Sequence, residues 1–116
     1  MIDYAIQKAN DLTYEQGKRR VYAVVTDERD RILAEGHNSY TKTHPVQAKY
    51  AEQVDLPDKV FLHAEIMALV RVRHGEPHKI YVARVDSEGN PCYACPCAIC
   101  NRAIKEAGIK TVEYTA

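Results

Sequence analysis

The chain has 116 residues, 46% hydrophobic and 28% charged, and its 16 basic and 16 acidic side chains cancel to a net charge of zero. That is enough chain for one domain, 1–116, built on a single core, and it holds no apolar run long enough to span a bilayer. Neutrality at a pI near 7.0 leaves no electrostatic footprint for tight, salt-sensitive binding to a long nucleic acid, so a small-molecule substrate is favoured.

Met1–Lys8 shows neither a basic leader nor an apolar h-region, which gives the expectation of a reducing cytoplasm. From Ile2 to about Gln16, apolar residues at three- and four-residue steps predict an amphipathic helix ended by Gly17. Lys18-Arg19-Arg20 then reads as a solvated basic edge with no assigned role. Val21–Thr26 and Arg31–Gly36, separated by the polar Asp27–Asp30, predict a β-hairpin. The continuous apolar character of its first strand suggests a sheet covered on both faces.

Asn38 to Lys59 is a long connection in which Pro45 fits the first turn of a short helix through Val46–Ala51. Lys42, Thr43, His44 and Lys49 are candidates to hold a substrate, although a surface loop with an incidental histidine accounts for the segment as well. Leu56-Pro57-Asp58-Lys59 announces another helix, apolar over most of its circumference through Val70 and therefore buried. His63 and Glu65 stand two residues apart, which separates their side chains by about 200° on a regular helix. They reach a common point only at the first turn, so this helix should begin at about Leu62. Lys79–Val85 predicts a strand, Ala98–Ala107 a helix ending at Gly108, and Lys110–Thr115 a last strand. The expected order is α-β-β-α-β-α-β around a mixed sheet of about four strands.

All four cysteines lie between positions 92 and 100, where disulfides would close only tiny loops and stabilise little. Metal binding is the better account. An open catalytic zinc needs three N or S ligands and a fourth position for water, and His63 with one Cys pair supplies the three, leaving Glu65 as proton carrier. The pattern P-C-x-x-C occurs twice, at Pro91–Cys95 and Pro96–Cys100, but only the second opens a predicted helix. There Cys97 and Cys100 share one face of the first turn, and the helix N-terminus favours thiolates. Cys92 and Cys95 stay open as a second metal site. Convergence of all four sulfurs on one metal is sterically awkward, because only Pro96 separates the two pairs.

H-x-E followed by P-C-x-x-C is the pattern of zinc-dependent nucleobase deaminases. With His63-Ala64-Glu65, Pro96–Cys100, Ala103–Lys110 and Gly36-His37-Asn38 all in family order, the chain resembles the cytidine deaminase superfamily from about Val21 to Thr115. Its deoxycytidylate-deaminase-like branch is the nearest likeness, and small phage-encoded deaminases match best in size. The resemblance implies a three-layer α/β/α fold, zinc held by His63, Cys97 and Cys100, and Glu65 as proton shuttle. It also implies sugar contact by Asn38, a pyrimidine carbonyl received by the Ala64 N–H, and a departing amino group received by the Cys95 carbonyl.

The chain departs from the family in two ways. It shows four strands where the family usually carries a fifth, leaving a sheet edge that a homo-oligomer would cover, and Ser39 stands where deoxycytidylate deaminases commonly place a second Gly. The expected chemistry is hydrolytic deamination of a cytosine-containing nucleotide or nucleoside, with Glu65 moving protons. The alternatives are a deaminase of bases in single-stranded nucleic acid, which neutral charge disfavours, and a non-catalytic zinc-binding module.

Overall fold

A computed structural model describes residues 1–56 and 61–116. Pro57, Asp58, Lys59 and Val60, within the expected approach to the central helix, lie outside the described residues. The elements are α1 (Ile2–Asp11), β1 (Arg20–Thr26), β2 (Ile32–His37), α2 (Pro45–Gln53), α3 (Ala64–Val70), β3 (Lys79–Val85), β4 (Pro91–Cys92), α4 (Ala98–Glu106) and β5 (Thr111–Tyr114).

β1 is central, with β2 antiparallel on one side and β3 antiparallel on the other. β5 pairs parallel with β3 from Lys79 to Val82, and the two-residue β4 continues that side at Arg84 and Val85. The sheet is therefore five-stranded and mixed, with β4 the addition to the expected four. β2, β3 and β5 all point the same way, so their carboxyl ends gather at one end of the sheet. Helices that return the chain between them must start at that end.

Alternation along the strands separates two apolar layers. Ala23, Val25, Ile80 and Val82 pack with Ile66, Met67, Ile99 and Ile104 of α3 and α4, and α2 joins them through Tyr50 and Ala51. On the other face Tyr22, Val24, Tyr81, Ala83 and Val85 meet Ala5 and Ala9 of α1. The result is the expected three-layer α/β/α arrangement, and burial on both faces explains why β1 reads as a continuous apolar run.

α1 is shorter than its apolar spacing suggests, ending at Asp11 instead of near Gln16. The cause is Arg20, whose Nη1 donates to the carbonyls of Asn10 and Leu12 at 3.2 and 3.4 Å and whose Nη2 donates to that of Asp86 at 2.7 Å. A side chain that takes up the last helical carbonyls substitutes for further turns. Arg20 is thus buried, and the basic stretch is not uniformly a solvated edge.

α1 is tied to the hairpin by the hydroxyls of Tyr4 and Tyr22, which both donate to Glu35 Oε1, at 2.6 and 2.7 Å. That bond, aided by burial, pushes the Tyr4 pKa up from 10.0 to about 12. Burial first, and then the same carboxylate, raises Tyr22 further. Because the folded state holds these protons more tightly than the unfolded chain, the stability they add is fully present below about pH 10 and is lost as pH rises through about 12. Chemical denaturation between pH 10 and 12 should show a steeper fall in stability for the wild type than for a Tyr4→Phe/Tyr22→Phe variant. Equal slopes would show that the two phenols are not linked to folding.

Candidate functional site

The site forms where the N-termini of α3 and α4 meet at the carboxyl ends of the strands. His63 and Cys97 occupy the same position on the two helices, the extended N-cap residue, with φ, ψ of −80°, 155° and −73°, 175°. The His63 carbonyl receives the Met67 N–H at 3.0 Å and the Cys97 carbonyl the Asn101 N–H at 2.9 Å, so each caps its first turn through its backbone while its side chain leaves the helix. α3 begins at Ala64, two residues later than expected, and this places His63 outside the helical screw. The 200° divergence from Glu65 therefore does not apply.

His63 Nδ1 lies 3.3 Å from Cys100 Sγ and 3.6 Å from Cys97 Sγ, and the three ligand atoms lie within 4.8 Å of one another. Tetrahedral zinc with Zn–N of about 2.0–2.1 Å and Zn–S of about 2.3 Å requires N···S edges of roughly 3.6 Å. The donor set therefore fits a zinc ion in both chemistry and spacing. Among the described residues it is the one group of three His, Cys, Asp or Glu side chains placed to hold a metal. Cys92 and Cys95 do not converge with it. Cys92 is in β4, its thiol 3.6 Å from the Arg84 carbonyl, and Cys95 is exposed on the cleft wall.

The two sulfurs differ in acidity. A hydrogen bond from the Cys100 thiol, with His63 alongside, pulls the Cys97 pKa down to about 3, whereas the same pairing and deep burial push Cys100 well up. Helix N-termini add positive potential that favours thiolate. Glu65, in the first turn of α3, is 6% exposed. Burial is the main reason that its carboxyl pKa is raised, against smaller downward pulls from its own backbone N–H and from His63.

Two residues that sequence reasoning did not connect with the metal seat α3. Fully buried Gln47 of α2 accepts the His63 N–H through Oε1 at 3.2 Å. A polar side chain on the helix face shared with Tyr50 and Ala51 was the available signal. Gly36 of β2 lets α3 approach directly, since a Cβ there would stand 2.5 Å from the Ala68 nitrogen and 2.6 Å from the Ala64 oxygen.

A cleft of about 770 Å³ opens beside the triad, lined by His63, Ala64, Glu65 and Cys97 and by Asn38, Cys95, Phe61, Tyr93, Arg19 and Arg84. Ala64 is the first residue of α3, so its N–H has no partner within the helix. Asn38 lines the cleft, but its amide is engaged at the start of β1: Oδ1 accepts the Val21 N–H at 3.0 Å and Nδ2 donates to the carbonyl of Arg19, just before the strand, at 2.9 Å. Lys42 and His44 are not among the lining residues. The His44 ring caps α2 by accepting the Val46 N–H at 3.1 Å. Exposed Lys42 acts through its backbone, which donates to Ser39 Oγ at 2.8 Å and accepts the Leu62 N–H at 2.9 Å.

The match to known proteins agrees with this geometry. The family of the cytidine and deoxycytidylate deaminase zinc-binding region matches residues 1–116, and the chain belongs to that family. In fold it is similar to the dCMP deaminase of the cyanophage S-TIM5, at 21% identity over 97% of this chain and 80% of that one with a TM-score of 0.58. It is also similar to the cytidine deaminase of Mycobacterium leprae, at 15% identity over 96% and 84% with a TM-score of 0.60. Comparison with curated protein sequences finds no match.

Gly36→Ala should cost about 1–3 kcal/mol of stability through overpacking against backbone and should weaken zinc retention with it, both measurable by denaturation and metal analysis. Cys97→Ser should lose zinc while Cys92→Ser keeps it. The reverse pattern would move the metal to the first cysteine pair.

Proposed function

We propose that the chain catalyses hydrolytic deamination of a cytosine-containing nucleotide or nucleoside, giving the uracil compound and ammonia. The observation that carries this reading is a three-donor group suited to zinc with a buried carboxylate, Glu65, beside it and outside the ligand set. Membership of the deaminase family supports it, as does a fold neighbour, the cyanophage dCMP deaminase, described in complex with dCMP and dUMP. Four free thiols suit a reducing, cytoplasmic setting.

Zinc, when bound by His63, Cys97 and Cys100, supplies a Lewis acid that brings the pKa of water toward neutrality. Glu65 accepts a proton from the attacking water and delivers protons to ring N3 and to the amino group. The C4–O bond forms, the C4–N bond breaks, and ammonia departs. A carboxyl whose pKa is raised by burial is better matched to giving as well as taking a proton near neutral pH than an exposed one. Cleft walls of Leu62, Ala94 and Phe61 suit the faces of a flat base, and the Ala64 N–H, at the start of α3, is the donor proposed for its carbonyl. The Cys95 backbone on the opposite wall is the acceptor proposed for the amino group.

Glu65→Gln should retain zinc but lose about 10²–10⁴ in kcat, the usual worth of a positioned acid–base. Ammonia release from cytidine, deoxycytidine and their monophosphates, with metal content assayed in parallel, makes the test. Zinc-loaded wild type that releases no ammonia from any of them, or a Gln variant with near wild-type turnover, would overturn the mechanism.

A further inference from the structure

The cleft has a charged end that the zinc chemistry does not use. In β3, Ile80, Val82 and Arg84 share the face that packs on α3 and α4, so Arg84 extends an apolar row to the sheet end where the site lies. Its cross-strand partner is Val21. Arg19 is two residues before Val21, so it is the diagonal neighbour of Arg84 on the same face, a separation that long side chains readily bridge. Both arginines line the cleft, and both also line an adjoining cavity of about 280 Å³ that includes Lys18 and Arg20.

Two guanidinium groups lining one cleft repel, and such a pair is kept at least cost where counter-charge arrives. Among the described residues neither makes an ion pair. Glu65 is the only carboxylate on the described wall of the larger cleft, and it sits with the metal ligands; Asp86 lines the adjoining cavity, its Oδ1 accepting the Glu88 and Asn90 N–H groups, and forms no ion pair with either arginine. Beneath the pair, buried Arg20 directs its guanidinium to three backbone carbonyls, and its Nε has no hydrogen-bond partner among the described residues. Its charge is thus solvated by dipoles but not neutralised, and it adds positive potential at the same place.

Resting on the deaminase reading, the geometry points to Arg19 and Arg84 as the specificity-determining residues of the cleft: together they bind the phosphate monoester of the substrate, so the substrate class is a phosphorylated nucleotide and not a free nucleoside or base. A planar guanidinium offers paired N–H donors that match phosphate oxygens, and two at a diagonal spacing can clasp one group from two sides. The base then lies toward Glu65 and the sugar between, beside Asn38.

Binding of the product forms tests this without depending on turnover. Calorimetry on the zinc-loaded full chain compares dUMP with deoxyuridine, in wild type, Arg84→Gln and Arg19→Gln. Wild type should bind dUMP about 10- to 100-fold more tightly, as expected for charge-assisted hydrogen bonds to one phosphate, and the advantage should shrink with added salt. Each variant should lose most of that ratio while keeping its zinc. Inorganic phosphate should compete with dUMP but not with deoxyuridine. Equal binding of dUMP and deoxyuridine by wild type, or an unchanged ratio in both variants, would overturn the assignment. Tighter binding of a uracil-containing oligonucleotide than of dUMP would overturn it in favour of a nucleic-acid strand. If ammonia release fails while the dUMP advantage and its loss in the variants hold, the deaminase reading fails and the phosphate subsite stands. If ammonia release holds with no phosphate advantage, the reverse is true.

Discussion

The site depends on one backbone arrangement used twice, an extended residue immediately before the first turn of a helix, with a metal-ligand side chain on that residue. At His63 and Cys97 the carbonyl begins the helix while the side chain is released from its screw. Two such positions can face each other only if the helix starts are brought together. Three strands whose carboxyl ends share one end of the sheet do that, because the crossover helices must then begin at that end. The close approach of α3 to Gly36 and the anchoring of the His63 N–H by Gln47 fix the remaining distance. The fold positions the ligands through backbone, leaving few soft side-chain torsions to set the metal geometry.

Burial is what differentiates chemically similar groups within a few ångströms. Cys100 is fully enclosed and Cys97 only partly, and the hydrogen bond between them lowers the Cys97 pKa and, together with that burial, raises that of Cys100. Glu65, also enclosed, holds its own proton more readily than a surface glutamate. A carboxylate in water would be a poorer proton donor at neutral pH, and a carboxylate among the ligands would be tied to the metal. The first turn of α3, two residues past the cap, avoids both outcomes, which gives the two-residue spacing between His63 and Glu65 a physical reason.

Much of this was legible from residue order. The P-C-x-x-C at Pro96 could be chosen over that at Pro91 because only it opens a helix, and the structure brings Cys97 and Cys100, not Cys92 and Cys95, to His63. β1 declared its two-sided burial in an unbroken apolar run. What could not be read depended on contacts distant in sequence. The length of α1 is set by Arg20 reaching back to its carbonyls, and apolar spacing through Leu12 carries no trace of that. β4 exists because Pro91 and Cys92 fall beside Arg84 and Val85, a pairing too short to show as a strand pattern. His44 and Lys42 are candidates by residue type alone; the bonds they make here, the His44 ring capping α2 and the Lys42 backbone meeting Ser39, are ones that loops commonly offer to polar residues and that residue type does not announce.

Net charge is the point at which composition informs least. A total of zero excludes a large uniform field, but it does not describe a cleft a few residues wide. Most acidic side chains lie outside the cleft, in which Glu65 alone among the described residues is a lining carboxylate, with Asp86 on the adjoining cavity, and charges beyond roughly a Debye length, about 8–10 Å, are largely screened from it. Low-dielectric walls and two inward helix termini then give the cleft a local positive potential larger than any average suggests. Arg84 was the visible trace of this in the sequence: an arginine in register with Ile80 and Val82, on a face otherwise committed to the core. A cation at the end of an apolar row is costly unless something outside the chain meets it, and that cost marks the end of the row as a place where a ligand completes the structure.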